Sequence, residues 1–116
     1  MKNYFIVLLF AGILMASCAP QHKSLYSWDK YEEESYDYVK NMTDKSLDDL
    51  MLSYENIINK QKGTRETVPP GICADYGYLL VKKGKKAEGI EMLKKEIALY
   101  PESGVFMSRI IKKLEE

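Results

Sequence analysis

Apolar and polar positions along the chain fall into five patterns. Tyr4 to Met15 is an uncharged, mostly apolar run that Lys2 precedes and that Cys18, Pro20, Gln21, His22 and Lys23 bring to an end. It is too short for a membrane-spanning helix, which needs about 20 apolar residues. Next, Trp28, Tyr31, Ser35, Tyr38 and Met42 recur at alternating spacings of three and four, while Glu32, Glu33, Glu34 and Asp37 fall elsewhere. That stripe predicts a first amphipathic helix. Ser46, followed three residues later by Asp49, reads as the N-cap of a second helix, in which Leu47, Leu50, Met51, Tyr54, Ile57 and Ile58 hold helical period until Gly63. Thr64, Thr67, Pro69 and Pro70 make the stretch from Gly63 to Gly71 a loop. Two helices follow, with Gly84 between them and Pro101 after them, and then Phe106, Ile110 and Leu114, flanked by Met107 and Ile111, predict a last helix laid over the preceding pair. The expected fold is all-α, with about five helices.

The first run is best taken as a processing segment. Lys2 and the apolar stretch have the form of a secretory signal, residues 1–17, removed from the mature chain. Leu14-Met15-Ala16-Ser17-Cys18 resembles the bacterial lipobox, which implies that Cys18 is acylated and becomes the first mature residue; an ordinary secretory cleavage beside an incidental thiol is the alternative. Ala19 stands where an Asp would imply inner-membrane retention, which points to the outer membrane, facing the periplasm. Residues 18–25 read as a lipidated tether and 26–116 as a single helical domain. Fully extended, such a tether holds the domain within about 25 Å of the membrane surface.

Charge narrows the function classes. The chain has 17 basic and 17 acidic residues, and removal of the signal takes away one basic group and no acidic one. A neutral balance without a basic stripe argues against nucleic acid as a partner. Chemistry is equally sparse. His22 is the sole histidine and falls in the tether, where nothing orients it as base or ligand. With Cys18 acylated, Cys73 has no partner for an internal disulfide; its apolar helical face favours a buried thiol over a nucleophile or an intermolecular bridge. The acidic residues Glu32, Glu33, Glu34, Asp37, Asp44, Asp48 and Asp49 lack the spacing of a calcium loop and read as solvated helix faces. No enzyme activity, metal or cofactor is expected.

The most specific pattern in the mature part lies at about residues 70–101. Cys73-x2-Tyr76-Gly77-x2-Leu80, Gly84, Gly89-x3-Leu93 and Pro101 resembles the spacing of a tetratricopeptide repeat, with Cys73, Gly89 and Glu96 departing from the usual residue types. Gly77 and Gly89 would let two antiparallel helices approach closely, and Gly84 would make the turn. A generic helical hairpin is the alternative and has the same local structure. In a tetratricopeptide-like unit the first helix lines the concave binding face, which implies that Asp75, Tyr78 and Lys82 are exposed there. Tyr26 and Tyr36, from an aromatic-rich segment, are further candidates for a partner surface.

Together with the lipobox, Tyr26-Ser27-Trp28, Val68-Pro69-Pro70-Gly71, Asp75-Tyr76-Gly77-Tyr78-Leu79-Leu80 and Tyr100-Pro101-Glu102-Ser103 resemble a family of short bacterial lipoproteins, a domain of unknown function with a tetratricopeptide-like C-terminal half. The resemblance covers almost the whole chain. It implies a place in the cell envelope and neighbouring genes that include a lipoprotein similar to the curli secretion channel, and it transfers no catalytic residue. The expected function is that of a membrane-anchored, non-enzymatic scaffold that binds another envelope protein, for which a curli-channel-like lipoprotein is the candidate. The alternative is a periplasmic ligand- or cation-binding module, or an accessory to a cell-wall enzyme.

Overall fold

The computed structural model describes Met1, Asn3 and residues 23–116. Apart from those two residues, the expected signal segment lies outside the described residues, as do Cys18 and His22. Among the described residues the structure is all-α, with no strand. Helix α1 spans Tyr31–Asn41, α2 Asp44–Asn59, α3 Ile72–Lys82, α4 Lys86–Leu99 and α5 Gly104–Glu115, with one 3-10 turn at Pro101–Ser103. No described helix is long and apolar enough to cross a membrane.

Local chemistry sets these ends. Three glutamates, Glu32, Glu33 and Glu34, occupy the first turn of α1 and Lys40 its last, each complementing the helix dipole. The periodic stripe overshoots the helix at both ends. Trp28 precedes α1, with its carbonyl accepting from the Tyr31 N–H at 2.9 Å, and Met42 stops the helix at φ 49 and points to solvent. The start of α2 differs from the sequence expectation. Thr43, not Ser46, is the N-cap: its hydroxyl accepts from the Ser46 N–H at 3.1 Å, while the Ser46 hydroxyl accepts from the Thr43 N–H at 3.1 Å, a reciprocal capping box. At its other end α2 stops at Asn59, short of Gly63.

The α3–α4 turn is a Schellman motif. The Lys85 N–H reaches the Leu80 carbonyl at 2.9 Å and the Gly84 N–H reaches that of Val81 at 3.0 Å, which requires the left-handed φ of 83 that Gly84 supplies. Beyond the turn, α3 and α4 meet backbone to backbone. A Cβ on Gly77 would stand 2.7 Å from the Gly89 carbonyl oxygen, and one on Gly89 would stand 2.5 Å from that of Gly77.

The helices stack in chain order: α1 on α2, α2 on α3, α3 on α4, α4 on α5. The core is correspondingly divided. One cluster, from α2, the loop and α3, includes Leu50, Tyr54, Ile57, Val68, Ile72, Cys73 and Leu80. A smaller one holds Ile90 and Leu93 of α4 with Met107 and Ile111 of α5. Two side chains of the α4 end hold the long loop down. Tyr100 donates its hydroxyl to the Val68 carbonyl at 2.5 Å, and buried Glu96 accepts the Gly71 N–H at 2.7 Å just ahead of α3. A carboxylate at that helix start is electrostatically favoured, which accounts for an acid at a position where the repeat pattern has a small residue.

Candidate functional site

Because α3 and α5 each pack on α4, a groove of ≈ 390 Å³ is left between them, walled by Asp75, Tyr78 and Val81 of α3 and Phe106, Ile110 and Leu114 of α5. A second, shallower groove of ≈ 220 Å³ lies between α3 and the α1–α2 pair, lined by Tyr38, Val39, Leu50 and Tyr54. Asp75 and Tyr78 line both grooves. They form a ridge down the middle of one face, to which α1 contributes Val39 and α5 Phe106. Val39, Tyr78 and Phe106 are 68%, 60% and 63% exposed, so this face presents three large side chains, one from each of α1, α3 and α5, to solvent.

The ridge carries charge as well. Lys82 places its ammonium 5.7 Å from the centre of the Tyr78 ring, a cation–π arrangement on the solvent side. Asp75 reaches solvent, yet it stands beside Tyr54 and Tyr78, and partial burial raises its carboxyl above the usual carboxylate value. Burial, and then the neighbouring Asp75 carboxylate, lift the Tyr54 hydroxyl well above its ordinary value, while Tyr76 is raised by burial and by donating to Glu55 Oε1 at 2.7 Å. The ring of Tyr54 therefore stays neutral and presents an apolar wall beneath the ridge.

Of the five candidate partner residues, the structure brings three together. Asp75, Tyr78 and Lys82 share the exposed face of α3. Tyr36 is 68% exposed but belongs to another surface, a broad, open depression of ≈ 580 Å³ bounded by Asp29, Lys30, Glu32 and Glu33. Charges of both signs and the lack of enclosing walls make that depression a poor site for a defined ligand. Tyr26 is half-buried, with its hydroxyl accepting from the Arg65 guanidinium at 3.1 Å. Sequence reasoning missed Val39 and misassigned Phe106, which was expected to help cover the hairpin. Only Met107 and Ile111 of α5 are buried against α4; Ile110 and Leu114 stop half-way and line the groove. The clue was width. Six apolar positions on α5, Val105 among them, make a band broader than one neighbouring helix can cover.

Cys73 is completely buried between the helices, and burial pushes its thiol up to about 11. Such a thiol holds little of the thiolate that nucleophilic or metal chemistry requires. Among the described residues, no three His, Cys, Asp or Glu side chains converge on a common point.

A family model described as a domain of unknown function (DUF4810) matches residues 25–110, nearly all of the helical domain. No curated protein matches the chain, and no solved structure does.

Proposed function

This chain belongs to the DUF4810 family, and we propose that it works as a lipid-anchored, non-enzymatic scaffold that holds another envelope protein against the ridge of α3. The observation behind this reading is the continuous exposed face formed by Val39, Tyr78 and Phe106 across three helices, with Asp75 and Lys82 beside it. An aromatic residue flanked by an apolar groove on each side is what a protein partner uses as an anchor point, and the adjoining charges set its register. The tetratricopeptide-like reading of the α3–α4 hairpin belongs to this proposal. It is supported by the bare Gly77–Gly89 seam and the Gly84 turn, and it makes α1, α3 and α5 the inner helices of a short repeat stack.

The address follows from the sequence. Acylation of Cys18 after removal of residues 1–17, with Ala19 next, would put the domain at the outer membrane on its periplasmic side. The proposed partner is a lipoprotein of the curli-channel type, and the scaffold's task is to assist its assembly or stability.

The test is a crosslinked pull-down of the full-length protein from native membranes, with mass spectrometry of what co-purifies. A channel-type lipoprotein should be recovered with the parent protein and lost with Tyr78→Ala and Phe106→Ala, two exposed substitutions whose folding is checked by a thermal melt alongside the parent. Recovery that persists in the double variant would place the contact elsewhere. For the anchor, Cys18→Ala should abolish acyl-chain labelling and release the protein from membranes; unchanged labelling would defeat that part.

A further inference from the structure

The segment that leads into the domain is fastened at one corner. Backbone carbonyls of Ser24 and Leu25 accept from the N–H groups of Thr64 and Arg65 at 3.0 and 3.1 Å. The Ser27 hydroxyl accepts from the Lys62 N–H at 3.0 Å, and the Gln61 side chain both donates to the Ser27 carbonyl at 3.1 Å and accepts from the Ser27 N–H. Gly63 is buried beneath this segment, where any Cβ would collide with the backbone of Leu25 and Tyr26. The pairing begins at Ser24, inside the stretch the sequence suggested as tether, so the point at which the chain enters the domain is fixed relative to loop 60–66.

Exposed basic groups surround that entry point. Lys23, Lys60, Lys62 and Arg65 are all exposed, and among the described residues none of them is in an ion pair. The acids in the same two segments are Asp29 and Glu66, so the corner carries an excess of positive charge on a chain that is neutral as a whole. Leu25 and Trp28 project from it, 59% and 44% exposed. Basic groups around an exposed tryptophan and an aliphatic side chain are the composition of surfaces that settle at the headgroup level of a bilayer.

We propose that this corner docks on the anionic phospholipid surface of the membrane that holds the anchor. Lys23, Lys60, Lys62 and Arg65 lie against phosphate groups, and Leu25 and Trp28 enter the headgroup layer. This rests on the reading of Cys18 as the acylated residue. From Cys18 to Ser24 there are six peptide steps, at most about 20 Å of chain, so the corner is within reach of the surface whenever the anchor is inserted. Near an anionic membrane each basic group multiplies the docked population by about fivefold. The acidic first turn of α1 is repelled by the same surface, so α1 leads away from it. Docking therefore replaces a domain that swings on its tether with one held in a single orientation.

The test uses the acylated protein reconstituted into vesicles of phosphatidylcholine alone or of phosphatidylcholine with phosphatidylglycerol, and reads Trp28, the chain's sole tryptophan. In the anionic vesicles its emission should shift to the blue and be quenched by lipids brominated near the headgroup. High salt should reverse both changes, and the paired exposed substitutions Lys60→Glu and Lys62→Glu should abolish them, although the variant still floats with the vesicles. Identical emission in the two compositions, or quenching that survives the charge reversal, overturns the proposal. A chain that fails to float with phosphatidylcholine vesicles is not anchored, which defeats the acylation reading separately. Its binding to the anionic vesicles, read on the same samples, then still decides whether the corner recognises the lipid.

Discussion

Replacing Gly89 by alanine separates two lines of reasoning that the sequence alone would merge. Alanine is the usual residue at this position of the repeat pattern, and in the middle of a helix it is favoured over glycine by about 1 kcal/mol. By that argument Gly89→Ala stabilises. The structure predicts the opposite. The added methyl would lie 2.5 Å from the Gly77 carbonyl oxygen and 2.5 Å from Val81 Cγ2, about 1 Å inside the usual carbon contact distance of roughly 3.5 Å. A side chain can rotate away, but a carbonyl in the facing helix cannot, so α3 and α4 must part along a seam beside buried Leu80 and Leu93. Overpacking of this kind costs about 1–3 kcal/mol, here towards the upper end because backbone must move. After the propensity gain, the net loss is about 1–2 kcal/mol, which for a domain of this size lowers the melting temperature by roughly 5–15 °C. The measurement is a thermal melt followed by far-ultraviolet circular dichroism, with Gly104→Ala as the reference. At Gly104 the nearest atom to a new Cβ is Ile97 Cγ2 at 3.7 Å, an ordinary contact, so that variant should melt at or slightly above the parent temperature. A Gly89→Ala protein that melts as high as the parent would refute the close backbone approach.

Glu96→Ala should cost about 1 kcal/mol in chemical denaturation, because it leaves the half-buried Gly71 N–H without its acceptor; Glu96→Gln, which keeps an acceptor, should recover most of that, and an equal loss in both would mean that the charge matters more than the bond. Asp75 has a raised carboxyl pKa in the fold, so the folded state holds its proton more tightly than the unfolded chain does. Its ionisation therefore lowers stability as pH rises above about 4, and the cost is complete above the raised folded value. Asp75→Asn should accordingly melt higher than the parent at neutral pH and no higher at pH about 3; a gain that persists in acid would point to a cause other than ionisation. Cys73, with its thiol raised to about 11 and no exposure, should react with iodoacetamide at pH 8 at least about 100-fold more slowly in the native protein than in denaturant, judged from thiolate fraction alone. Comparable rates would show that the seam opens.

Much of this architecture is legible from period and punctuation. The α2 stripe, the Gly77–Gly89 approach, the Gly84 turn and the break at Pro101 are local or near-local signals, and each has its physical counterpart in the structure. Where the reading slipped, it did so for identifiable reasons. Thr43 and Ser46 are both good capping residues three positions apart, and a capping box uses both, so composition could not say which came first. The stripe from Trp28 to Met42 ignores backbone angles, and positive φ at Asp29 and Met42 closes the helix inside it. On the candidate site, Asp75, Tyr78 and Lys82 were proposed from the hairpin pattern, and they share one exposed helix face. Val39 and Phe106 were not, because their exposure depends on which neighbour each helix packs against. The fastening of Ser24 and Leu25 to Thr64 and Arg65 joins residues about forty positions apart with no periodic trace, and Gly63 is its only mark in the sequence.

The division of the core into two clusters has a consequence for cooperativity. Helix α1 buries no residue completely, and α5 is held mainly by Met107 and Ile111, whereas α3 is buried along most of its length. Amide exchange should therefore be slowest in α3 and quicken towards both ends of the stack, as in chains of repeats whose terminal units open first. The exposed face is thus assembled from one well-buried helix between two that are held by fewer buried residues. A partner seated across it would bridge α1, α3 and α5 and couple the openings of the two ends, so that a domain which loosens in parts when free would unfold as one unit when bound.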